Sequence, residues 1–213
     1  MEKYQISRNM VSKEKKVNNP LSVHVMAKPS GAICNISCEY CFYLEKEKLY
    51  PSVSRSKWQM NDEILEKYVK QYIEAQKIPV VNFAWQGGEP TMLGVDLYKK
   101  AVKLLKKYSN GKTITNAFQT NAILINDEWA EFLKEENFLI GVSIDGPKDL
   151  HDKYRVDRGG NPTFERVIEG LNSLKKFNVE FNTLTVLHRF NADYPEKVYK
   201  FLSEELDLSL IHI

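Results

Sequence analysis

The chain contains three cysteines, and all of them lie in one segment of eight residues, Cys34-Asn-Ile-Ser-Cys38-Glu-Tyr-Cys41. Thiolate sulfurs are the usual protein ligands of iron–sulfur clusters, and a four-iron cubane normally takes one ligand on each iron. Three cysteines leave one iron with an open coordination position, and an open position on a metal is where chemistry takes place. The spacing therefore predicts an iron–sulfur cluster that is reactive rather than a simple electron store.

Two alternatives remain open on the spacing alone. A zinc site also uses thiolates, but it needs a fourth ligand. The histidines (His24, His151, His188 and His212) all lie outside the cysteine segment, although His24 could approach it. The second alternative is that the thiols are inert and buried, since cysteine behaves as a small apolar residue. Disulfides fit poorly, because the cysteine count is odd and one pairing would strand a thiol.

The bulk composition is that of an ordinary globular chain. It has 213 residues, of which 43% are hydrophobic and 27% are charged, and its formal net charge is +2. A charge so close to neutral argues against nucleic acid or an acidic membrane surface as the main partner. The polar first residues do not read as a signal peptide, and no stretch reaches the roughly 18 apolar residues of a membrane span. We therefore expect no membrane contact and a reducing cytoplasm, which suits free thiolates.

The chain divides into a polar N-terminal extension over residues 1–20 and a core domain over residues 21–213. Within the core, strand-like and helix-like patterns alternate. The predicted strands are 21–27, 79–85, 113–118, 138–143, 179–187 and 208–213. The predicted helices follow Asn61 and Thr163 or span 96–108, 127–135 and 195–202. The helix after Asn61 has its apolar face at Ile64, Leu65, Tyr68, Val69, Tyr72 and Ile73.

Alternation of strands and helices predicts an α/β fold with a parallel sheet. Six such units favour a partial (β/α)6 barrel, similar to an incomplete TIM barrel. The last predicted strand has no following turn or covering helix, so we expect a polypeptide truncated near the sixth strand.

Polar motifs follow the predicted strands, at the edge where parallel barrels carry their binding groups. The cysteine segment follows the first strand, and Gln86-Gly-Gly-Glu-Pro90 follows the second. Gln119-Thr-Asn121 closes the third, and Ser143-Ile-Asp-Gly-Pro147 the fourth, with His151 and Arg155 shortly after it. Each motif alone is typical of an ordinary turn or surface loop. Their coincidence at one edge predicts a common site.

These motifs resemble those of the radical S-adenosylmethionine (SAM) superfamily, through the Cys34-x3-Cys38-x2-Cys41 spacing and the Gly87-Gly-Glu-Pro90 segment. A narrower resemblance is to the anaerobic sulfatase-maturating enzymes, and it extends from about residue 21 to the last residue. The segments that carry it are Cys38-Glu-Tyr-Cys-Phe-Tyr-Leu-Glu-Lys46, Trp85-Gln-Gly-Gly-Glu-Pro-Thr91, Gln119-Thr-Asn121, Gly141-Val-Ser-Ile-Asp-Gly-Pro147 and Val179-Glu-Phe-Asn-Thr-Leu-Thr185.

The resemblance implies a four-iron, four-sulfur (4Fe–4S) cluster on Cys34, Cys38 and Cys41, with SAM bound at the open iron. One electron then cleaves SAM, and the resulting 5'-deoxyadenosyl radical takes a hydrogen from a sulfatase cysteine or serine, which becomes formylglycine. A small donor such as flavodoxin or ferredoxin supplies the electron. The implied cofactor-binding residues are Tyr40 beside the adenine, Gly88 and Glu89 at the methionine amino group, and Ser143 and Arg155 at the carboxylate and ribose end.

The chain also departs from this family. The family continues into a cysteine-rich region with two auxiliary clusters and an acidic catalytic residue, whereas no cysteine follows Cys41, so no catalytic acid or base is assignable here. Alanine stands at position 122, where the family commonly has glycine. Two other functions stay open: another peptide-modifying radical SAM enzyme, and a non-catalytic zinc module that binds a protein.

Overall fold

The computed structural model describes residues 22–49 and 59–208. The predicted N-terminal extension lies outside the described residues, and so does most of the predicted sixth strand. Among the described residues, no helix has the length and apolar character needed to cross a membrane.

The described chain is built around one parallel sheet of five strands in the order β1-β2-β3-β4-β5. The strands are β1 (Met26–Ala27), β2 (Val80–Trp85), β3 (Thr113–Thr120), β4 (Phe138–Ser143) and β5 (Phe181–Leu184). Sequential order with parallel pairing is the arrangement of a barrel wall, so the predicted α/β partial barrel is confirmed as a fold class. The sixth strand is not among the described elements.

Seven α-helices are described. They are α1 (Tyr43–Lys46), α2 (Asp62–Ala75), α3 (Val95–Tyr108), α4 (Asp127–Glu135), α5 (Lys148–His151), α6 (Phe164–Lys176) and α7 (Pro195–Lys200). Short 3-10 turns lie at Glu47–Leu49 and Pro90–Leu93, and a π-helical turn, Phe201–Glu205, extends α7.

Two of the described helices, α2 and α4, begin with a side-chain cap, and the sequence indicates the one at Asn61. Asn61 accepts a hydrogen bond from the backbone N–H of Ile64, and Asn126 accepts one from that of Trp129. Each cap satisfies a backbone donor that the first helical turn leaves free, and contributes about 1 kcal/mol. Alternate residues of the strands face these helices. Among them Phe83, Trp85, Phe118 and Ile140 are fully buried in the core.

Within residues 22–49 and 59–208, the opposite face of the sheet is accessible to solvent. Val80 of β2, Leu139 of β4 and Leu184 of β5 are all exposed, although they lie in strands. In a closed barrel this face would point inward. The carboxyl ends of the described strands therefore border an accessible surface.

Three sequence predictions were wrong in detail. The first strand contains only Met26–Ala27, because side chains of α2 and of its C-cap residue bond to the backbone of the preceding residues: Val23 N–H donates to Gln76 Oε1 and Val25 N–H to Tyr72 Oη. Ile64, predicted on the buried face of α2, is half exposed. The fifth strand covers Phe181–Leu184 rather than 179–187.

Candidate functional site

The three cysteines lie in the loop after β1, and all three thiols are free. Cys38 is buried, whereas Cys34 and Cys41 are half-buried. The loop is held from one side by the segment after α5: Ser37 N–H donates to Val156 O (2.8 Å) and Glu39 N–H to Tyr154 O (3.1 Å). The spacing of the thiols is therefore fixed by backbone contacts with a distant part of the chain.

The turn after β2 holds the cysteine loop from the other side. Gly88 N–H donates to Gly31 O (2.8 Å), and Glu89 N–H donates to Ile33 O (2.7 Å). A Cβ atom on Gly88 would lie 2.0 Å from the backbone oxygen of Ile33, which is closer than any real contact. Only glycine allows the turn to approach the loop so closely.

The Glu89 carboxylate is buried and fully occupied by internal partners. One oxygen accepts hydrogen bonds from Thr91 N–H, Thr91 Oγ1 and Thr120 Oγ1, and the other accepts from Asn121 N–H. Burial raises the pKa of Glu89, and these donors oppose that rise. The side chain joins the ends of β2 and β3. Its assignment to the methionine amino group stays a prediction.

Asn121, at the end of β3, was named in the sequence as part of a motif but given no role. Its Nδ2 lies 2.7 Å from Asn35 Oδ1 and 3.8 Å from Cys34 Sγ, while its Oδ1 accepts from Ile123 N–H. The next residue, Ala122, has a φ of +61°. That left-handed backbone explains why glycine suits this position in the family that the sequence resembles.

Arg155 and Asp145 form a buried ion pair beside the cysteine loop. Arg155 Nε lies 2.9 Å from Asp145 Oδ2, and Nη2 lies 3.1 Å from Oδ1. Burial would raise the pKa of Asp145, but the guanidinium charge and its hydrogen bonds hold it below the usual value. The remaining guanidinium nitrogen, Nη1, lies 3.8 Å from Cys38 Sγ. Arg155 thus touches the cysteine loop while its charge is balanced by Asp145.

Tyr40 packs into the same group of side chains. Its hydroxyl donates to Asp145 Oδ2, and the Arg155 guanidinium carbon lies 5.5 Å from the ring centroid. Burial raises the pKa of the Tyr40 phenol. The side chain fixes the loop residue between Cys38 and Cys41, and the predicted approach of its backbone to an adenine stays a prediction.

Ser143, at the end of β4, is held differently. Its hydroxyl accepts a hydrogen bond from Gln119 Nε2 at 3.0 Å, and it is half-buried. In the described part of the chain this is the only hydrogen bond of its side chain. The structure therefore brings together the cysteines, Tyr40, Glu89 and Arg155, whereas Ser143 contacts Gln119 at the ends of β3 and β4.

Two histidines lie near the strand ends, and neither is a ligand of the cysteine loop. His151 is buried, with its Nδ1 near the Asp145 N–H and its Nε2 near Thr163 Oγ1. Burial lowers the pKa of His151 to about 3. His188 stacks on Tyr40 with ring centroids 5.7 Å apart. The sequence singled out neither Asp145 nor His188 as a site residue. Only their position in the sequence could have identified them, since both follow the end of a strand.

Two of the three thiols have a raised pKa in the folded chain. Burial raises the pKa of Cys34 to about 12, with the Glu89 charge as the second cause. Burial also raises the pKa of Cys38 to about 11, although the Arg155 charge opposes the rise. A metal that binds these sulfurs must therefore displace their protons.

The donor set is of the type that an iron–sulfur cluster uses. In a cubane each thiolate binds a different iron, so three cysteines can serve three of the four irons. Cys34, Cys38 and Cys41 are all free and lie on one loop that backbone hydrogen bonds hold in place. These residues therefore fit the cluster that the sequence predicts.

A surface cavity of about 580 Å³ lies between α5, α6 and the π-helical turn. None of the predicted site residues lines it. The cavity is therefore separate from the predicted site.

Comparison with known proteins agrees with this geometry. A model of the radical SAM superfamily matches residues 29–202. The serine-type anaerobic sulfatase-maturating enzyme of Bacteroides thetaiotaomicron is 50% identical over 182 residues, which cover 85% of this chain and 44% of that protein. The cysteine-type enzyme of Clostridium perfringens is 41% identical over 190 residues, covering 87% of this chain and 49% of that protein.

The same relationship appears in solved structures. The structure of native anSMEcpe with bound AdoMet and Cp18Cys peptide superposes with a TM-score of 0.76 at 38% identity, over 85% of this chain and 47% of that one. Streptococcus suis SuiB, at 20% identity and a TM-score of 0.56, shares the fold alone. The chain thus spans about half the length of the relatives that it matches.

Proposed function

The chain belongs to the radical SAM superfamily, and from this membership we propose that it is the radical core of an anaerobic sulfatase-maturating oxidoreductase. The observation that most supports this proposal is the cysteine loop, which backbone hydrogen bonds hold in place and which presents three free thiols at the carboxyl edge of a parallel sheet. The likeness to serine- and cysteine-type maturases over most of this chain supports the narrower assignment.

In this proposal Cys34, Cys38 and Cys41 would hold a 4Fe–4S cluster, and SAM would bind beside it. When bound, these cofactors supply a one-electron cleavage that produces a 5'-deoxyadenosyl radical able to remove a hydrogen from the substrate. The protein's part is to fix the three sulfurs and to orient SAM. The contacts of the loop with Gly88, Glu89, Tyr154 and Val156 perform the first task.

We assign the second task to the predicted cofactor-binding residues. Glu89 and Gly88 form the turn at the methionine amino group, and the four hydrogen bonds to Glu89 make that turn rigid. Arg155 and Ser143 serve the carboxylate and ribose end, because a guanidinium and a hydroxyl are donors to such oxygens. Tyr40, fixed by Asp145, positions the loop backbone beside the adenine.

The substrate we propose is an extended sulfatase segment that contains a cysteine or serine, converted to formylglycine. The accessible face of the sheet, with Leu184 exposed at the carboxyl end of β5, gives such a segment access to the strand ends. A flavodoxin or ferredoxin is the proposed electron donor. Free thiols suit a reducing compartment such as the cytoplasm. We treat residues 21–213 as one core domain.

The first test of this proposal is whether the chain binds a cluster and cleaves SAM. The chain is loaded anaerobically with iron and sulfide, and its metal content is measured. Reductant and SAM are then added, and 5'-deoxyadenosine is quantified. We expect a cluster and formation of the nucleoside, both lost in Cys38→Ala and both kept in Ser37→Ala, a control from the same loop. Tetrahedral zinc, or a cluster retained in Cys38→Ala, would contradict the proposal.

The substrate assignment is tested with peptides. Two matched sulfatase peptides, one with cysteine and one with serine at the target position, are incubated with the loaded chain and SAM, and their masses are measured. Conversion of either residue to the aldehyde supports a maturase. Nucleoside formation with a different peptide modification would favour the second candidate, another peptide-modifying radical SAM enzyme.

A further inference from the structure

Two buried N–H donors point at two of the three cysteine sulfurs. Asn121 Nδ2 lies 3.8 Å from Cys34 Sγ, and Arg155 Nη1 lies 3.8 Å from Cys38 Sγ. Both donor residues are more than nine-tenths buried. In the described part of the chain, Cys41 has no comparable side-chain donor. The arrangement therefore distinguishes two of the sulfurs from the third.

Each donor is held in place by other hydrogen bonds. The backbone N–H of Asn121 donates to Glu89 at 2.8 Å, and the side-chain Oδ1 of Asn121 accepts Ile123 N–H at 3.1 Å, which orients its amide. Asp145 accepts Arg155 Nε and Nη2, which leaves Nη1 directed at the cysteine loop. Neither donor can rotate toward another partner without breaking one of these hydrogen bonds, so the contacts with sulfur are built into the fold.

The contact of Asn121 with Asn35 does not compete with the sulfur. An amide NH2 group carries two hydrogens, so Nδ2 can donate to Asn35 Oδ1 at 2.7 Å and to Cys34 Sγ. In the free thiol, Cys34 Sγ can itself donate toward Asn35 Oδ1, 3.7 Å away. A metal-bound thiolate has no proton and only accepts, and its charge strengthens the hydrogen bond from Asn121.

We propose that Asn121 and Arg155 are positioning residues that donate N–H···S hydrogen bonds to Cys34 and Cys38 and thereby raise the reduction potential of the cluster. This inference rests on the proposed function. Hydrogen bonds to the ligating sulfurs are among the factors that set cluster potentials. The reduced cluster has more negative charge on its sulfurs, so donors stabilise it more than the oxidised cluster. The cluster is thus easier for a weak donor to reduce.

The test is a redox titration of the reconstituted chain, monitored by electron paramagnetic resonance without SAM. Asn121→Ala removes the donor without changing the charge. We expect the ratio of reduced to oxidised cluster at a fixed potential to fall about tenfold, which is ~59 mV for a one-electron couple. Asn121→Asp keeps the oxygen that accepts Ile123 N–H and also lacks the donor, so it decides the matter if Asn121→Ala fails to fold. It should lower the potential at least as far.

The matched control is Asn35→Ala, which removes the other acceptor of the same amide and leaves Nδ2 free for sulfur. The reduction potential of the cluster in this variant should not fall. Arg155→Lys keeps the charge opposite Asp145 but removes the guanidinium fork, and it should lower the potential as well.

Unchanged potentials in the Asn121 variants, with intact clusters, would overturn the role of Asn121. An unchanged potential in Arg155→Lys would overturn that of Arg155. Absence of any cluster from the unmodified chain would instead count against the proposed function, so the two failures are distinguishable.

Discussion

Arg155 engages both carboxylate oxygens of Asp145 in a buried pair, with nitrogen–oxygen distances of 2.9 and 3.1 Å. The same carboxylate accepts the Tyr40 hydroxyl from the cysteine loop and Val186 N–H from the residues after β5. Asp145 itself follows β4. One side chain therefore connects the cysteine loop to the ends of two neighbouring strands, and the geometry of the site depends on it.

Loss of the Asp145 charge should destabilise the whole fold. In Asp145→Asn the Arg155 guanidinium stays buried without its counter-charge, and breaking a buried pair in this way costs about 3–5 kcal/mol. Urea unfolding followed by circular dichroism measures the change. The control is Asp127→Ala, whose carboxylate pairs with Lys176 at the surface. Exposed pairs contribute little, so the control should unfold near the midpoint of the unmodified chain. Equal effects from the two variants would show that the buried pair contributes no more to the free energy of unfolding than the surface pair does.

Gly88→Ala should displace the cysteine loop. The added methyl group would lie 2.0 Å from Ile33 O, and both groups belong to backbone segments fixed by hydrogen bonds. We expect loss of most of the iron bound after reconstitution, together with a destabilisation of about 1–3 kcal/mol, typical of overpacking. Iron analysis and urea unfolding measure the two effects.

Gly159→Ala is the matched control for this substitution. Its added methyl group would meet only the side chains of Asn161 and Asp157, at 3.0 and 3.3 Å, and these can move. Iron content should be unchanged in the control. Normal iron content in Gly88→Ala would mean that the close approach of the turn is not needed to form the site.

Much of the fold was predictable because local rules and tertiary packing agree. The cap at Asn61 and the periodicity of the apolar residues give helices with nearly the predicted bounds. The predicted length of β1 was too great because the alternation of Val23 and Val25 is a strand signal. In the structure their backbone N–H groups donate to side chains at the end of α2 instead. Such a contact joins residues about fifty positions apart, and no local pattern reveals it.

The site was predictable in part for the same reason. Cysteine spacing and the paired glycines carry chemical information in the sequence itself. The roles of Asp145 and Asn121 depend on which strand ends are neighbours in space, and on which nitrogen of a side chain remains free after its other contacts are made. Sequence placed both residues at the correct edge of the sheet. It could not show that Asp145 is an internal acceptor that directs Arg155 toward sulfur, or that Ile123 N–H orients the Asn121 amide.

Gln76 should prove to be the tether of the segment before β1. Its side chain accepts Val23 N–H at 3.1 Å and donates to Val23 O at 2.6 Å, and the residue is buried. Gln76→Ala removes both hydrogen bonds, and we expect a loss of about 1–3 kcal/mol with faster hydrogen exchange at the Val23 amide. Gln71→Ala, at an exposed position of the same helix, is the control and should leave both measurements unchanged. Slow exchange at Val23 in Gln76→Ala would show that other contacts hold this segment.

His151 should make the fold sensitive to acid in a defined pH window. Burial, followed by the charge of Arg155, lowers the pKa of His151 to about 3 in the folded chain, from an ordinary value of 6.5. Between these two pH values the unfolded chain binds a proton that the folded chain does not. The free energy of unfolding must therefore fall as the pH falls from about 6.5 toward 3, by up to ~1.4 kcal/mol per pH unit, and this contribution is constant below the folded-state pKa.

Urea midpoints measured at several pH values test the acid sensitivity predicted for His151. In His151→Gln the slope due to this group should disappear, whereas His24→Gln, at an exposed position, should retain it. An unaltered slope in His151→Gln would assign the acid sensitivity to other groups.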